Sequence, residues 1–156
     1  MANIADVRIA QEVFEPAVEL AAFTSTCEGG DGAIVSFTGL ARDRAKDGLP
    51  VKALVLETYR SVTLASMQAI SDAAQERYAI TKSLIIHRSG IIAPKEAIVF
   101  VVAASAHRRA AFEAADYMMD RLKTEAVFWK SEQGPNGRKW IEPTSGDIID
   151  TQRWAE

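Results

Sequence analysis

Thiol and imidazole groups are scarce in this chain, because its 156 residues include one cysteine and two histidines. A single cysteine, Cys27, excludes an internal disulfide, a CxxC redox pair and a cysteine-rich zinc site. We interpret Cys27 as a small buried apolar side chain, since free cysteine is one of the residue types most often found in protein cores. The sequence predicts neither a metal site nor a resident cofactor.

Long apolar segments are also missing. The longest apolar run covers residues 97–104, whereas a membrane-spanning helix needs about 18 or more apolar residues. The first residues, MANIADVRIAQEV, lack the basic patch and apolar segment of a secretion signal. Hydrophobic residues make up 48% of the chain and charged residues 25%, as in a soluble domain with one core. We therefore expect a cytoplasmic protein in which residues 1–156 form a single domain, with no membrane partner.

The chain lacks an overall positive charge, since its formal net charge is −3. Residues 1–31 contain six acidic side chains and one basic side chain, and residues 141–156 contain four and one. The middle of the chain therefore carries a net charge of +5. Acidic ends argue against a general nucleic-acid surface, which usually makes a whole domain basic. A basic centre in an acidic protein instead predicts a local site for an anionic ligand.

Apolar periodicity predicts alternating strands and helices. Strands are expected at residues 6–10, 33–40, 51–59, 83–88 and 97–104, and helices at residues 15–25, 61–78 and 106–122. The polar stretch ARDRAKDGLP at residues 41–50 predicts a mobile loop, and GPNG at residues 134–137 predicts a hairpin between Trp129 and Trp140. Strands followed by separate helices, with at least one hairpin, favour an α+β fold over a doubly wound sheet.

The segment SAHRRA, at residues 105–110, joins an apolar strand to a helix. Ser105 is expected to cap the helix, which puts His107, Arg108 and Arg109 in its first turn. Cations are unfavourable at a helix N-terminus unless an anion compensates them. We interpret His107 and Arg108 as ligands for a phosphate or carboxylate, and Arg109 as a solvated side chain, although Arg108 could instead pair with an acid. The second histidine, His87, ends the run SLIIH without a partner cluster and is interpreted as structural.

Two lysines flank the apolar run AVFW, at residues 126–129. Lys123 lies at the end of the predicted helix, where a cation is favourable for structural reasons alone. Lys130 lies at the edge of a buried strand, where loss of water and nearby cations would lower its pKa toward the working range. Such a lysine can exchange protons or attack a carbonyl group. Glu132, two residues further along the strand, would lie on the same side and could hold or neutralise the ammonium.

Seven segments in this order resemble the large, catalytic subunit of molybdopterin synthase: FTGLAR (37–42), LETY (56–59), HRSG (87–90), SAHR (105–108), DRLKT (120–124), FWKSE (128–132) and KWIE (139–142). The resemblance implies an α+β hammerhead-like fold with an antiparallel or mixed sheet and packed helices. It also implies a homodimer that binds one small ubiquitin-like sulfur carrier per subunit, giving a heterotetramer. The implied activity is the conversion of cyclic pyranopterin monophosphate to molybdopterin by adding two dithiolene sulfurs.

The resemblance also assigns roles to residues of this chain. It implies that the carrier's C-terminal Gly-Gly tail, ending in a thiocarboxylate, enters a pocket beside the catalytic lysines, Lys123 and Lys130. By the same analogy, the substrate phosphate would lie against Arg42, His107 and Arg108. The residues expected to flank these positions are Leu40, Ala41, Ser131 and Glu132. Phe37 would lie beneath the site, although a core role is favoured for an aromatic residue within a strand.

The chain departs from the family pattern in two places. Val127 stands where many relatives have proline, and Arg153, in the least recognisable segment, has no assigned place.

Two other classes of function remain open. A non-catalytic adaptor could keep the fold and the carrier interface, although retention of both lysines argues against it. A small RNA-binding domain could use Arg108, Lys130 and the aromatic residues nearby, but the chain has no RNP-like or KH-like signature.

Overall fold

The computed structural model describes residues 4–126, 128–142 and 145–154, so the expectation about Val127 falls outside the described residues. The strands are β1 (Ile4–Ala10), β2 (Ala33–Leu40), β3 (Ala53–Glu57), β4 (Ile80–Arg88), β5 (Gly90–Ile92), β6 (Ala97–Ser105), β7 (Trp129–Gly134) and β8 (Gly137–Ile141). The helices are α1 (Pro16–Ser25), α2 (Arg60–Arg77), α3 (Arg108–Glu125) and α4 (Ser145–Gln152). None of the helices in these ranges has the length and apolarity needed to cross a bilayer.

A four-stranded sheet in the order β1-β4-β6-β2 forms the centre of the protein. Its inner strands, β4 and β6, are buried on both faces along most of their length, and β6 is apolar except for its last residue, Ser105. β1 pairs with β4 in parallel, and the other pairs are antiparallel. β2 forms an edge of this sheet, because its only strand partner among the described residues is β6.

Helices cover both faces of this sheet. On one face, α2 packs over β1 and β4, and α3 packs over β6 and β2. The core there includes Met67, Ile70, Ile85, Val101 and Met118. On the other face, α1 packs over a smaller cluster that includes Phe23, Leu84, Ile86, Phe100 and Val102. The adjacent strand residues belong to different clusters because successive side chains along a strand point to opposite faces.

A second sheet, in the order β5-β3-β7-β8, adjoins the first. Only Ser89 separates β4 from β5, so one extended segment passes from the large sheet into the small one. Gly90 has a φ of +90°, which a residue with a side chain rarely adopts. β7 and β8 form the predicted hairpin, and Gly137 supplies the positive φ (+95°) at its turn.

The α+β class predicted from the sequence is confirmed, and most predicted elements have counterparts in the structure. The strand predicted at residues 51–59 is shorter, β3, because the backbone N–H of Val51 donates to Asp43 in the preceding loop and α2 begins at Arg60. Ser105 is not the cap of α3, contrary to the prediction. It is the last residue of β6, and its hydroxyl donates to the carbonyl of Ala79, while His107 occupies the N-cap position.

Helix α4 was not predicted. It packs against α3 in the described part of the chain and leaves Ile148 and Ile149 exposed. The segment holds only two large apolar residues next to each other, so it shows none of the three- and four-residue spacing that identifies a helix from sequence. Its importance lies in its position, since its first turn reaches the cavity described below.

Candidate active site

A cavity of about 1140 Å³ lies where the C-terminal ends of β2 and α3 meet the small sheet. β2 and the following loop contribute one wall, and the end of α3 contributes a second. β7 and the first turn of α4 contribute the others. The polar residues that line it are Thr38, Arg42, Arg44, Lys46, His87, Lys123, Thr124, Lys130, Glu132, Glu142, Ser145 and Asp147.

The cavity carries an excess of positive charge. Its lining includes two arginines and three lysines but only three carboxylates. Several of its other residues are apolar, including Leu54, Ile98, Val99, Leu122 and Phe128. Apolar walls that exclude water strengthen the attraction between these cations and an anionic ligand.

Lys130 is a cavity lysine with a lowered pKa. It lies in β7 between Leu56 of β3 and Ile141 of β8, and its side chain is half-buried. Burial lowers the pKa of Lys130, and the nearby charge of Lys123 lowers it further, while Asp147 opposes both. Lys130 therefore gives up its proton more readily than an exposed lysine, as the sequence predicted.

Lys123 approaches the same space from α3. It lies in the last turn of that helix, which extends three residues beyond the predicted end at residue 122. Its side chain is exposed and lines the cavity, and its positive charge contributes to the lowered pKa of Lys130. The two lysines thus converge from a helix and a strand, which seven residues of separation along the chain did not establish by itself.

His87 belongs to the cavity wall, although the sequence suggested only a structural role. It is 5% exposed, its Nδ1 lies 2.9 Å from the carbonyl oxygen of Arg88, and its ring stacks on Phe128 with centroids 4.0 Å apart. Burial lowers the pKa of His87 to about 3, and the charges of Lys130 and Lys123 add to this effect. His87 is therefore buried and satisfied at Nδ1, as predicted, and it also faces the site.

Arg42 enters the cavity from a loop whose start is fixed by backbone hydrogen bonds. The N–H of Ala41 donates to the carbonyl of Glu96, and the N–H of Lys95 donates to the carbonyl of Ala41. Further along, an isolated bridge joins Arg44 to Pro50. The loop predicted at residues 41–50 thus has internal pairing, and it brings Arg42, Arg44 and Lys46 to the same cavity.

The four residues expected to flank the site differ in whether they line the cavity. Leu40 and Glu132 line the cavity together with Phe37, which is 37% exposed. Ala41 and Ser131 do not line it, because both are buried beside it at 4% and 0% exposure. Ser131 accepts a hydrogen bond from Nε of Arg138, so its hydroxyl is used within the small sheet.

His107 and Arg108 lie in a different place. They line a separate pocket of about 420 Å³ with Gly32, Ala106 and Arg109. All three basic side chains of this pocket are exposed, and no side chain caps α3. Gly32 is required there, because a Cβ at this position would collide with the carbonyl oxygen of Ala106. Free N–H groups and cations together suit an anion.

The pocket and the cavity lie at opposite ends of α3 and β2. α3 has 18 residues, so its ends are about 27 Å apart. The sequence predicted that Arg42, His107, Arg108, Lys123 and Lys130 converge. Within one chain, the cavity brings together Arg42, Lys123 and Lys130, and the other two lie in the pocket.

The structure also accounts for residues that the sequence did not assign. Arg153 forms ion pairs with Asp120 at 2.6 Å and Asp116 at 3.2 Å, which fix the C-terminal segment on α3. Cys27, interpreted from the sequence as a small buried apolar side chain, is partly buried against the α1 cluster and lines neither space. Asp147 was missed altogether, because only the unpredicted helix α4 brings it to Lys130.

Comparisons with known proteins show which family this chain resembles along most of its length. The sequence profile of the family described as MoaE protein matches residues 9–125. The molybdopterin synthase catalytic subunit of Caulobacter vibrioides is 50% identical over 152 residues, covering 96% of this chain and 97% of that protein. The protein of the same name from Pseudomonas aeruginosa is 41% identical over 150 residues, covering 96% and 99%.

A solved structure agrees as well. The molybdopterin biosynthesis MoaE protein from Burkholderia ambifaria superposes with a TM-score of 0.82 at 34% identity, covering 98% of this chain and 99% of that chain. Both the sequence and the arrangement of elements are thus shared over nearly the full length. The chain belongs to the MoaE protein family.

Proposed function

We propose that this chain, as the catalytic subunit of a molybdopterin synthase, carries out sulfur transfer in the cavity that contains Lys123 and Lys130. The sulfur donor would be a thiocarboxylate at the end of a small ubiquitin-like carrier, and the acceptor would be cyclic pyranopterin monophosphate. The observation that carries the proposal is the convergence of two lysines and Arg42 in one partly apolar cavity. Both proposed substrates are anionic, which suits the excess of cations there.

A separate carrier subunit supplies what this chain lacks. Cys27 lines neither cavity nor pocket, so the described residues offer no thiol that could carry sulfur to the site. The relatives are named catalytic subunits, which implies a second kind of subunit in their enzymes. A Gly-Gly tail has no side chains and would therefore be thin enough to enter the cavity. Its terminal thiocarboxylate would lie beside the lysines.

The two lysines suit different parts of the chemistry. Lys123, exposed at the end of α3, would stabilise the negative charge of the thiocarboxylate and the charge that develops as sulfur attacks the pterin. Lys130, with its lowered pKa, would exchange protons as the ring opens and water leaves. Arg42 would hold the substrate phosphate at the entrance.

His107 and Arg108 would reach the same reaction from a second copy of the chain. β2 is a sheet edge with exposed Phe37 and Leu40, and such an edge readily pairs with another strand. In a two-fold antiparallel β2 pair, the start of one strand lies beside the end of the other. The pocket of each protomer would then adjoin the cavity of its partner. The assembly would be a homodimer with two composite sites, or a heterotetramer with two carriers, in the cytoplasm.

Reconstitution tests the activity directly. Purified chain, thiocarboxylated carrier and cyclic pyranopterin monophosphate should yield the dithiolene product. Formation of a complex without product would favour the non-catalytic adaptor and would refute the proposal.

Mixed dimers test whether each site uses two protomers. A dimer of one Lys130→Ala chain and one Arg108→Ala chain should keep one intact site and about half of the wild-type kcat/KM, measured at pterin concentrations below KM because loss of Arg108 is expected to raise KM. The matched control places both substitutions in one chain and pairs it with a wild-type chain. If sites are composite, this control keeps no intact site. The reverse pattern would show that each site lies within one protomer.

A further inference from the structure

We propose that Arg88 and Glu96 are positioning residues for Arg42. Their ion pair braces the turn at residues 93–96, and this turn holds Ala41, the neighbour of Arg42, by two backbone hydrogen bonds. The inference rests on the proposed function, in which Arg42 binds the substrate phosphate. Neither Arg88 nor Glu96 lines the cavity, so both would act through the backbone that carries Arg42.

Arg88 is the buried member of the pair. It is 3% exposed, and its Nη2 donates a hydrogen bond of 3.1 Å to the carbonyl oxygen of Ile91. Its Nη1 lies 3.6 Å from Oε1 of Glu96. In the described part of the chain neither Nε nor Nη1 has a hydrogen-bond partner, so Glu96 is the group that compensates the buried charge. Apolar residues often replace such a pair without loss of stability, so its presence calls for a reason beyond packing.

Glu96 connects Arg88 to a tight turn. Oε1 of Glu96 accepts a hydrogen bond of 2.8 Å from the N–H of Ala93, and the N–H of Glu96 donates to the carbonyl of Ala93 at 3.2 Å. Pro94 and Lys95 lie between them, and Lys95 has a φ of +75°. Residues with a side chain rarely adopt such a φ, so the contacts around the turn must hold it.

The braced turn fixes the chain at the end of β2. The N–H of Ala41 donates to the carbonyl of Glu96 at 2.9 Å, and the N–H of Lys95 donates to the carbonyl of Ala41 at 2.7 Å. Ala41 is buried, and β2 ends at the residue before it. The two bonds to the turn therefore set the direction in which the backbone enters Arg42.

Arg42 is the cation of the loop nearest to this contact. Beyond it, Arg44 forms a bridge with Pro50, and the N–H of Val51 donates to the carbonyl of Asp43, so these residues are tied to the far end of the loop. A guanidinium binds phosphate through two parallel hydrogen bonds that require a defined geometry. We therefore expect the brace to affect substrate binding and not the chemistry at the lysines.

The double substitution Arg88→Met and Glu96→Met removes the pair without leaving a buried charge. The two backbone groups that lose a partner, the carbonyl of Ile91 and the N–H of Ala93, belong to exposed residues and can bind water. We expect this variant to fold and to raise KM for the pterin about tenfold. Its kcat and its affinity for the carrier should stay within about twofold of wild type.

A double-mutant cycle shows whether the effect passes through Arg42. In an Arg42→Ala chain, loss of the pair should raise KM no further, because the positioned group is already absent. An equal rise of KM in both backgrounds would overturn the inference, as would an unchanged KM in the wild-type background.

Two further variants complete the test. Arg8→Met with Glu19→Met removes an ion pair between β1 and α1 whose residues line neither space, so KM should stay unchanged. Glu96→Gln keeps an oxygen for the N–H of Ala93 and removes only the charge. If the double variant does not fold, Glu96→Gln takes its place, and an unchanged KM in that variant would overturn the inference.

Amide hydrogen exchange gives a readout that does not depend on activity. We expect the N–H groups of Ala41 and Lys95 to exchange about tenfold faster, or more, without the pair, while that of Val101 in the centre of β6 keeps its rate. Unchanged exchange at Ala41 would refute the brace. Failure of wild-type protein to form product would instead refute the proposed function, whatever the exchange rates.

Discussion

The cavity and the pocket are both cationic, but they are built in different ways. The cavity collects Arg42, Lys123 and Lys130 from a loop, a helix end and a strand, beside apolar side chains. The pocket takes its cations from one turn at the start of α3, and they stay exposed. In the cavity, burial and neighbouring positive charge lower the pKa values of His87 and Lys130. Burial and crowding of charge thus change the proton affinity of basic groups in the cavity, whereas the pocket presents exposed donors to solvent.

The largest expected effect is the loss of either cavity lysine. Lys130→Ala or Lys123→Ala should lower kcat by about 10² or more, because the positioned charge and proton transfer are lost together. The thermal midpoint should stay near that of wild-type protein, since both residues lie at the border of the core. Steady-state kinetics and calorimetry measure the two quantities.

Lys52→Ala provides the matched control for the lysine variants. Lys52 is exposed and does not line either space, so its removal should leave kcat unchanged. Unfolding of the Lys123 or Lys130 variant would show that the residue is structural. The distinction between a reactive cavity and an anion-binding pocket would then no longer hold.

The second effect concerns the stability of the cavity wall in acid. The pKa of His87 is about 3 in the folded chain and 6.5 in the unfolded chain, so the unfolded state binds the proton first as the pH falls. The free energy of unfolding that depends on neutral His87 is fully present above pH 6.5, the pKa in the unfolded chain. It is lost as the pH falls from 6.5 to about 3, the pKa in the folded chain. Lowering the pH from about 7 to about 4.5 should therefore reduce the free energy of unfolding by roughly 2–3 kcal/mol through this group.

Denaturant titrations of wild-type protein and His87→Phe at both pH values isolate this contribution. The carboxylates that also titrate are common to the two proteins, so the difference between them belongs to His87. An equal loss of stability in the two proteins would show that the ring is solvated, and the cavity would then resemble the pocket.

The smallest effect is expected at the pocket. Arg108→Ala should raise KM for the pterin about tenfold with little change in kcat, which corresponds to about 1.4 kcal/mol of binding free energy. Arg60→Ala is the control, because Arg60 is likewise an exposed arginine at the first position of a helix but lines neither space. A fall in kcat with unchanged KM for Arg108→Ala would move the residue from binding to chemistry.

Local patterns were sufficient to predict most of the elements. α3 was expected at residues 106–122 and runs over Arg108–Glu125, because its apolar residues recur at helical spacing. β6 was visible as a continuous apolar run, as expected for a strand buried on both faces. The short helix α4 escaped detection, since it depends on packing against α3 and on ion pairs such as that of Arg153 with Asp120.

The residues that meet in the cavity were identified in part from the sequence. The type and spacing of Lys123 and Lys130 indicated a chemical role, and a helix N-terminus rich in cations indicated anion binding at Arg108. His87 was assigned to structure because it ends the run SLIIH without a partner cluster. Its stacking on Phe128, forty-one residues later, exists only once β4 and β7 are brought together.

The sequence alone determined the α+β class, the positions of most strands and helices, and the family resemblance, because these follow from short-range periodicity and local motifs. The tertiary structure decided that the cations form two groups and not one, and that the buried His87 lines the same cavity as Lys130. It also decided that α4 brings Asp147 to the cavity. The physical reason is that pKa values and binding depend on which charges share a water-poor space, and that space is created only when distant segments pack.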